Sequence, residues 1–170
     1  EIIIEKKIEN TGEILNNLRD QIIKSLNQNE SVTGTKDGMD MSLCKINMDS
    51  KTVEFSGAYN SLIHVSNGKL SSIKGDNQPV SLHYAESKPF TTKMIKAKKD
   101  DMFYLYSDGF QDQFGGLKDK KFMSLKFKNL LKEISSHSSQ EQYIALKKEF
   151  NEWKGSREQI DDVCVMGLRI

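Results

Sequence analysis

Met102-Phe103-Tyr104-Leu105-Tyr106-Ser107-Asp108-Gly109 holds five consecutive apolar or aromatic residues and then breaks on a serine, an aspartate and a glycine. A strand with one wet face alternates. This run does not, so it predicts a strand over 102–107 that is covered on both faces. Val163-Cys164-Val165-Met166 has the same character and predicts a second such strand within 162–170. Upstream lie shorter or alternating runs at 39–47, 52–58, 62–66, 70–74 and 92–97. Asp49-Ser50 and Asn67-Gly68 are turn signals between them, which predicts consecutive antiparallel hairpins.

Helical spacing brackets these strands. Ile14, Leu18, Ile22 and Leu26 recur every four residues behind Thr11, a candidate N-cap, and predict a helix over 12–28. Residues 1–8 read as the last turns of a preceding amphipathic helix, and 29–38 as a polar loop. A loop at 75–89 contains both prolines. Beyond Asp108-Gly109 a glycine- and lysine-rich loop runs to 121. Leu125, Leu130, Leu131 and Ile134 mark one further helix; Tyr143, Leu146, Phe150 and Trp153 mark another, stopped by Gly155. Strands covered on both faces, with helices before and after them, predict an α+β fold. Its form is an αββα sandwich, two antiparallel sheets flanked by helices. No repeat or second domain is visible, so 1–170 reads as one domain.

Composition narrows the class. The 170 residues are 36% hydrophobic and 29% charged, with a net charge of +1. That suits one soluble globular domain and gives no push toward nucleic acid or direct membrane contact. No apolar stretch is long enough to cross a bilayer. Cys44 and Cys164 sit in apolar runs and read as core thiols of a reducing compartment, hence a cytoplasmic domain. The opening Glu1-Ile2-Ile3-Ile4-Glu5 has neither an initiator Met nor the regions of a secretory signal. It reads as the middle of a helix, as in a domain cut from a longer chain, whose parent could be membrane-tethered through upstream segments.

The chemistry-bearing positions flank the two covered strands. Asp108 follows one; Asp161 and Asp162 precede the other. If those strands are antiparallel neighbours, the three carboxylates meet at one sheet rim. Clustered carboxylates resist desolvation unless protonated or bound to a cation, and hard ions such as Mg²⁺ or Mn²⁺ take oxygen ligands. Asp-Gly is also a common turn dipeptide, and Asp before a strand is ordinary. Spacing alone therefore leaves the structural reading open.

Ser107-Asp108-Gly109-Phe110, Asp112-Gln113-Phe114-Gly115-Gly116 and Gln159-Ile160-Asp161-Asp162-Val163 closely resemble motifs of the SpoIIE-type branch of the PP2C (PPM) protein serine/threonine phosphatases. Asp37-Gly38-Met39-Asp40, Gly57-Ala58-Tyr59-Asn60 and Gly75-Asp76 followed by Pro79 fit in the same order. The resemblance implies the αββα sandwich and a Mn²⁺ or Mg²⁺ site, two ions in the intact domain, acting on phosphoserine or phosphothreonine. It implies that Asp108 and Asp161 are catalytic metal ligands and that Asp162 is a ligand or its neighbour. Asp40, Gly109 and Asp112 would lie around the metal or the substrate. The implied substrate is a phosphorylated regulatory protein of the anti-sigma-factor-antagonist type, with a sensor domain upstream in the parent chain. The family's Gly-Asp-Phe and Asp-x-x-Gly-His-Gly motifs are not found, and His64, His83 and His137 have no glycine beside them. The resemblance thus covers the C-terminal part of the domain, without the N-terminal strands and their ligands. That leaves an alternative: an inactive phosphatase-fold module for interaction or dimerisation. Lost strands would expose a sheet edge and favour a homodimer.

Other candidates carry less. Lys118, Lys120 and Lys121 could steer a phosphoprotein or simply form a solvated face. The Tyr143, Phe150 and Trp153 stripe reads as core. Ser107 lacks a His-Asp partner pattern for a nucleophile, and Gly115-Gly116 reads as a mobile loop near the site.

Overall fold

The computed structural model describes residues 2–28, 38–82 and 87–170. Asp37 and His83 therefore lie outside the described residues. In chain order the elements begin with α1 (Thr11–Ser25), β1 (Met41–Asn47), β2 (Thr52–Ala58), β3 (Leu62–Ser66), β4 (Lys69–Ile73), β5 (Lys93–Lys96) and β6 (Met102–Tyr106). They continue with α2 (Gly109–Asp112), β7 (Phe114–Gly115), β8 (Lys120–Lys121), α3 (Ser124–Ile134), α4 (Ser139–Lys154) and β9 (Val165–Arg169). This is the mixed α+β class expected, with antiparallel sheets and helices. The chain divides into two compact units, Glu1–Leu62 with Ile73–Lys98, and Ile63–Ser72 with Lys99–Ile170.

The first unit holds a three-stranded antiparallel sheet in the order β1-β2-β5. Leu15, Ala58, Val80 and Phe90 form its buried cluster, with Leu18, Ile22, Met41 and Leu43 packed on it. The N-cap of α1 is Asn10, not Thr11: the Glu13 N–H donates to Asn10 Oδ1 at 3.0 Å. Thr11 is buried instead, its hydroxyl 2.8 Å from that of Ser56 on β2. Residues 2–5 form a turn rather than a leading helix. Lys7 at φ 54° and the extended backbone of Asn10 interrupt any helix running into α1. The helix also ends at Ser25, which leaves Leu26 44% exposed.

The second unit carries the four-stranded sheet β4-β3-β6-β9. Asn67 and Gly68, with φ of 48° and 69°, make the two-residue β3–β4 turn, where positive φ at both positions favours this Asn-Gly pair. Met102 and Tyr104 of β6 join Phe110, Phe122, Phe127, Leu131, Ile134 and Phe150 in one core. Burying each large apolar side chain contributes about 1.5–3 kcal/mol. Tyr104 donates its hydroxyl to Gln142 Oε1 at 2.8 Å, which satisfies two buried polar groups at once. The start of α4 is set by a capping box between Ser138 and Glu141.

Four expectations are corrected in this unit. β6 is covered as predicted, but β9 is not: Met166 and Leu168 are 60% and 36% exposed. β9 ends the sheet order, so among the described residues it has a strand neighbour on one side only. Cys164 is exposed for the same reason, while Cys44 is half-buried. In the α4 stripe Phe150 is buried and Leu146 and Trp153 pack against the same core, but Tyr143 stays largely exposed. Leu125 is likewise exposed at the first turn of α3.

Candidate metal centre at the rim of the second sheet

β6 and β9 are antiparallel neighbours, with Tyr106 opposite Val165 and Met102 opposite Arg169. The segment leaving β6 therefore runs beside the segment entering β9. Ser107 fastens the two. Its N–H donates to Cys164 O at 3.0 Å, its hydroxyl donates to Asp162 O at 2.7 Å and accepts from the Cys164 N–H at 2.9 Å. Ser107 is thus a structural clamp, in keeping with the missing nucleophile pattern.

Gly109 closes the contact. A Cβ at this position would lie 2.4 Å from Asp162 O and 2.9 Å from its carbonyl carbon. Glycine is needed here for close approach between backbones, not for an unusual φ. The contact presses the backbone next to Asp108 against that of Asp161 and Asp162, and all three aspartates are exposed. Asp108 stands just before α2 and makes no side-chain capping bond. Asp161 Oδ1 accepts from the Asp162 N–H at 2.7 Å, which turns that carboxylate back along its own loop.

The supporting groups are ones that sequence reasoning missed. Gln113 is fully buried and holds the strand-entry loop: its Nε2 donates to Glu158 O at 3.0 Å and its Oε1 accepts from the Ile160 N–H at 3.3 Å. Its backbone oxygen accepts from Trp153 Nε1 at 2.9 Å. A lone glutamine between an aspartate and a phenylalanine gives no periodic signal of burial; only the motif match marked it. Gly115 and Gly116 are not a free loop. A Cβ on Gly115 would lie 1.9 Å from Trp153 O, and the Gly116 N–H donates to that oxygen at 2.9 Å.

The remaining candidates separate. Asp112 pairs with Lys121 at 2.8 Å, an exposed contact that ties β8 to α2 and adds little stability. Lys118 and Lys120 are exposed. Asp40 belongs to the first unit, beside Met39, which bridges to Val80. His64 bonds Asp101 at 2.8 Å and stacks on Phe103, as a satisfied structural histidine does. The matched glycine motifs also meet in the first unit: the Asp76 N–H donates to Gly57 O at 2.7 Å, and the Asp76 carboxylate accepts from the Thr91 N–H at 2.7 Å.

Oxygen donors at this rim suit a hard divalent cation, which keeps several waters when few carboxylates are offered. The donor count is low. Among the described residues no group of three or more His, Cys, Asp or Glu side chains is placed to hold a metal ion. The sequence profile described as Stage II sporulation protein E (SpoIIE) matches residues 3–170. The chain belongs to the SpoIIE family.

Several solved structures carry a similar fold. The SiaA-PP2C domain of Pseudomonas aeruginosa is 22% identical with a TM-score of 0.84, over 95% of this chain and 61% of that one. The manganese-presoaked phosphatase domain of SpoIIE from Bacillus subtilis is 17% identical with a TM-score of 0.62, over 96% and 73%. RsbX in complex with magnesium is 13% identical with a TM-score of 0.60, over 94% and 64%. The SpoIIE-family chain thus spans about three fifths of the SiaA domain's length. No curated protein sequence matches it significantly. No helix among the described residues is long and apolar enough to cross a membrane.

Proposed function

We propose that the chain is part of a metal-dependent protein serine/threonine phosphatase domain acting on a phosphorylated regulatory protein in bacterial signalling. The backbone contact of Gly109 with Asp161 and Asp162 supports this reading, because it joins the two motif segments that carry the aspartates of a SpoIIE-family chain. Asp108 and Asp161 would hold a Mn²⁺ or Mg²⁺ ion, with Asp162 as a third ligand or as support for the pair. That divalent cations are used is supported by relatives studied with manganese and with magnesium. A bound divalent ion supplies water of lowered pKa and neutralises charge on a phosphoryl group. This chain's own residues orient the pair: Ser107 and Gln113 fix the two loops, and Gly109 sets their spacing. Asp112 and Asp40 would act at the periphery, toward substrate. The remaining ligands would come from the part of the domain that has no counterpart in 1–170, in line with the 61% coverage of SiaA. We place the domain in the cytoplasm, downstream of a sensor domain in the parent protein.

The test is Mn²⁺-dependent hydrolysis of an aryl phosphate by a parent protein that carries the remaining ligands, with manganese binding measured alongside by calorimetry. Asp108→Asn should lose both signals. Unchanged hydrolysis in that variant would sink the assignment. A second reading is favoured by the absence of a three-ligand group among the described residues: a phosphatase-fold module for interaction or dimerisation. The exposed apolar residues of β9 support self-association through that strand. Manganese-independent behaviour throughout would select this second reading.

A further inference from the structure

We propose that the second unit carries a pocket for a small phosphate-bearing ligand at the end of its sheet opposite the aspartate rim. The pocket is a cavity of about 440 Å³ lined by Lys99, Asp100, Asp101, Lys132, Ser136 and Arg169, among others. That volume lies within the ordinary range of small-ligand sites. Its position follows from the strand register. Asp101 and Met102 open β6 and Arg169 closes β9, whereas Asp108 and Asp161 lie beyond their other ends. Five strand residues at about 3.3 Å each separate the two ends by roughly 16 Å, so the pocket is not part of the rim.

The charges decide what fits. Three cations face two carboxylates. Asp101 is only 2% exposed and is engaged with His64 at 2.8 Å, so little of it is open to a ligand. Arg169 is already ordered: its guanidinium donates to Ser135 O at 2.9 Å and to His137 O at 2.6 Å. Those carbonyls follow the end of α3, where a helix is partially negative, so Arg169 also offsets the repulsion of an anion by that helix end. Among the described residues Lys99 and Lys132 form no ion pair. Two unpaired ammonium groups beside a fixed guanidinium match an anion of at least two charges with several acceptor oxygens, which a phosphoryl group offers and a single carboxylate does not. The concave shape favours a small molecule over a flat protein surface.

The pocket does not rest on the phosphatase reading, and its test excludes metal. Inorganic pyrophosphate is titrated calorimetrically into the full chain in EDTA at fixed salt. The comparison is with Lys99→Gln/Lys132→Gln and with Lys118→Gln/Lys120→Gln as a surface-charge control. Melting curves establish that both variants are folded. Saturable one-to-one binding is expected, weakened at least tenfold in the pocket variant and less than twofold in the control. Asp108→Asn should bind as the parent does. Equal weakening by both lysine pairs, or no saturable binding to the parent chain, overturns the proposal.

Discussion

Replacing Gly109 by alanine tests how the two aspartate loops are held together. The added Cβ would stand 2.4 Å from Asp162 O, 2.9 Å from the Asp162 carbonyl carbon and 3.3 Å from that of Asp161. All three are backbone atoms, so no side chain can swing aside. Reaching an ordinary contact requires the loops to part by about 1 Å. Overpacking of this kind costs about 1–3 kcal/mol. Alanine returns at most about 1 kcal/mol of helix propensity, and less in a helix as short as α2. The net loss should be about 1–2 kcal/mol, which for a chain of this size lowers Tm by roughly 2–8 °C. Trp153 is the only tryptophan and lies in the same unit, so its fluorescence reports the melting of that unit. Manganese affinity should fall on the order of tenfold, as when groups supporting a metal's ligands are disturbed. Gly68→Ala is the control: its φ of 69° brings strain, but no atom lies near its Cβ, so it should lower Tm without touching manganese binding. A Gly109→Ala protein that melts within a degree of the parent and binds manganese equally well would refute the contact as the organiser of the site.

Burial pushes the Tyr104 phenol up to about 12, with the charge of Arg169 pulling weakly the other way. Below about pH 10 the group is protonated in both states and contributes no pH dependence. Between about pH 10 and 12 the unfolded chain ionises first and binds fewer protons, so stability should fall with pH by something on the order of 1–3 kcal/mol. Tyr104→Phe should flatten that slope in urea titrations at pH 8 and 11, and at neutral pH should cost about 1–3 kcal/mol by leaving Gln142 Oε1 unpaired. An unchanged alkaline slope would show that Tyr104 does not carry it; Tyr106, raised by burial too, would then be the next group to replace. Sedimentation tests the exposed β9 edge: concentration-dependent dimers are expected, reduced by Met166→Lys, and a strictly monomeric chain would rule out self-association.

The parts of the site that were legible in the sequence are those governed by local pattern. Five apolar residues without alternation fixed β6, and the Asp-Gly that follows them had to fall at its end. Antiparallel pairing with the last strand would bring the segment of Asp161 and Asp162 toward Asp108, and the register bears out the pairing itself. The failures share one physical origin, which is that burial is a long-range property. Val165 to Arg169 has the composition of a covered strand, yet its exposure depends on which strand comes next in the sheet. Asn10 and Thr11 are both good caps by type. The choice fell to Asn10 because Thr11 is drawn into contact with Ser56, forty-five residues away. Gln113 shows the same limit at the site itself. A glutamine is polar in any local reading, but here it is fully buried because it satisfies backbone groups of Glu158 and Ile160 that would otherwise be unpaired.

That pattern bears on how the rim works. The aspartates themselves are exposed, Asp108 has no capping bond and Asp161 bonds only within its own loop, so no bond of their side chains ties Asp108 to the other two. Their spacing is specified one step away, by groups with no chemistry of their own: the missing Cβ of Gly109, the hydroxyl of Ser107 and the amide of Gln113. Solvent-facing carboxylates are free to rearrange around whatever they bind, but only within the limits those three groups set. Substitution at the three should therefore alter affinity for a cation without altering the charge that attracts it. Loss of an aspartate alters both.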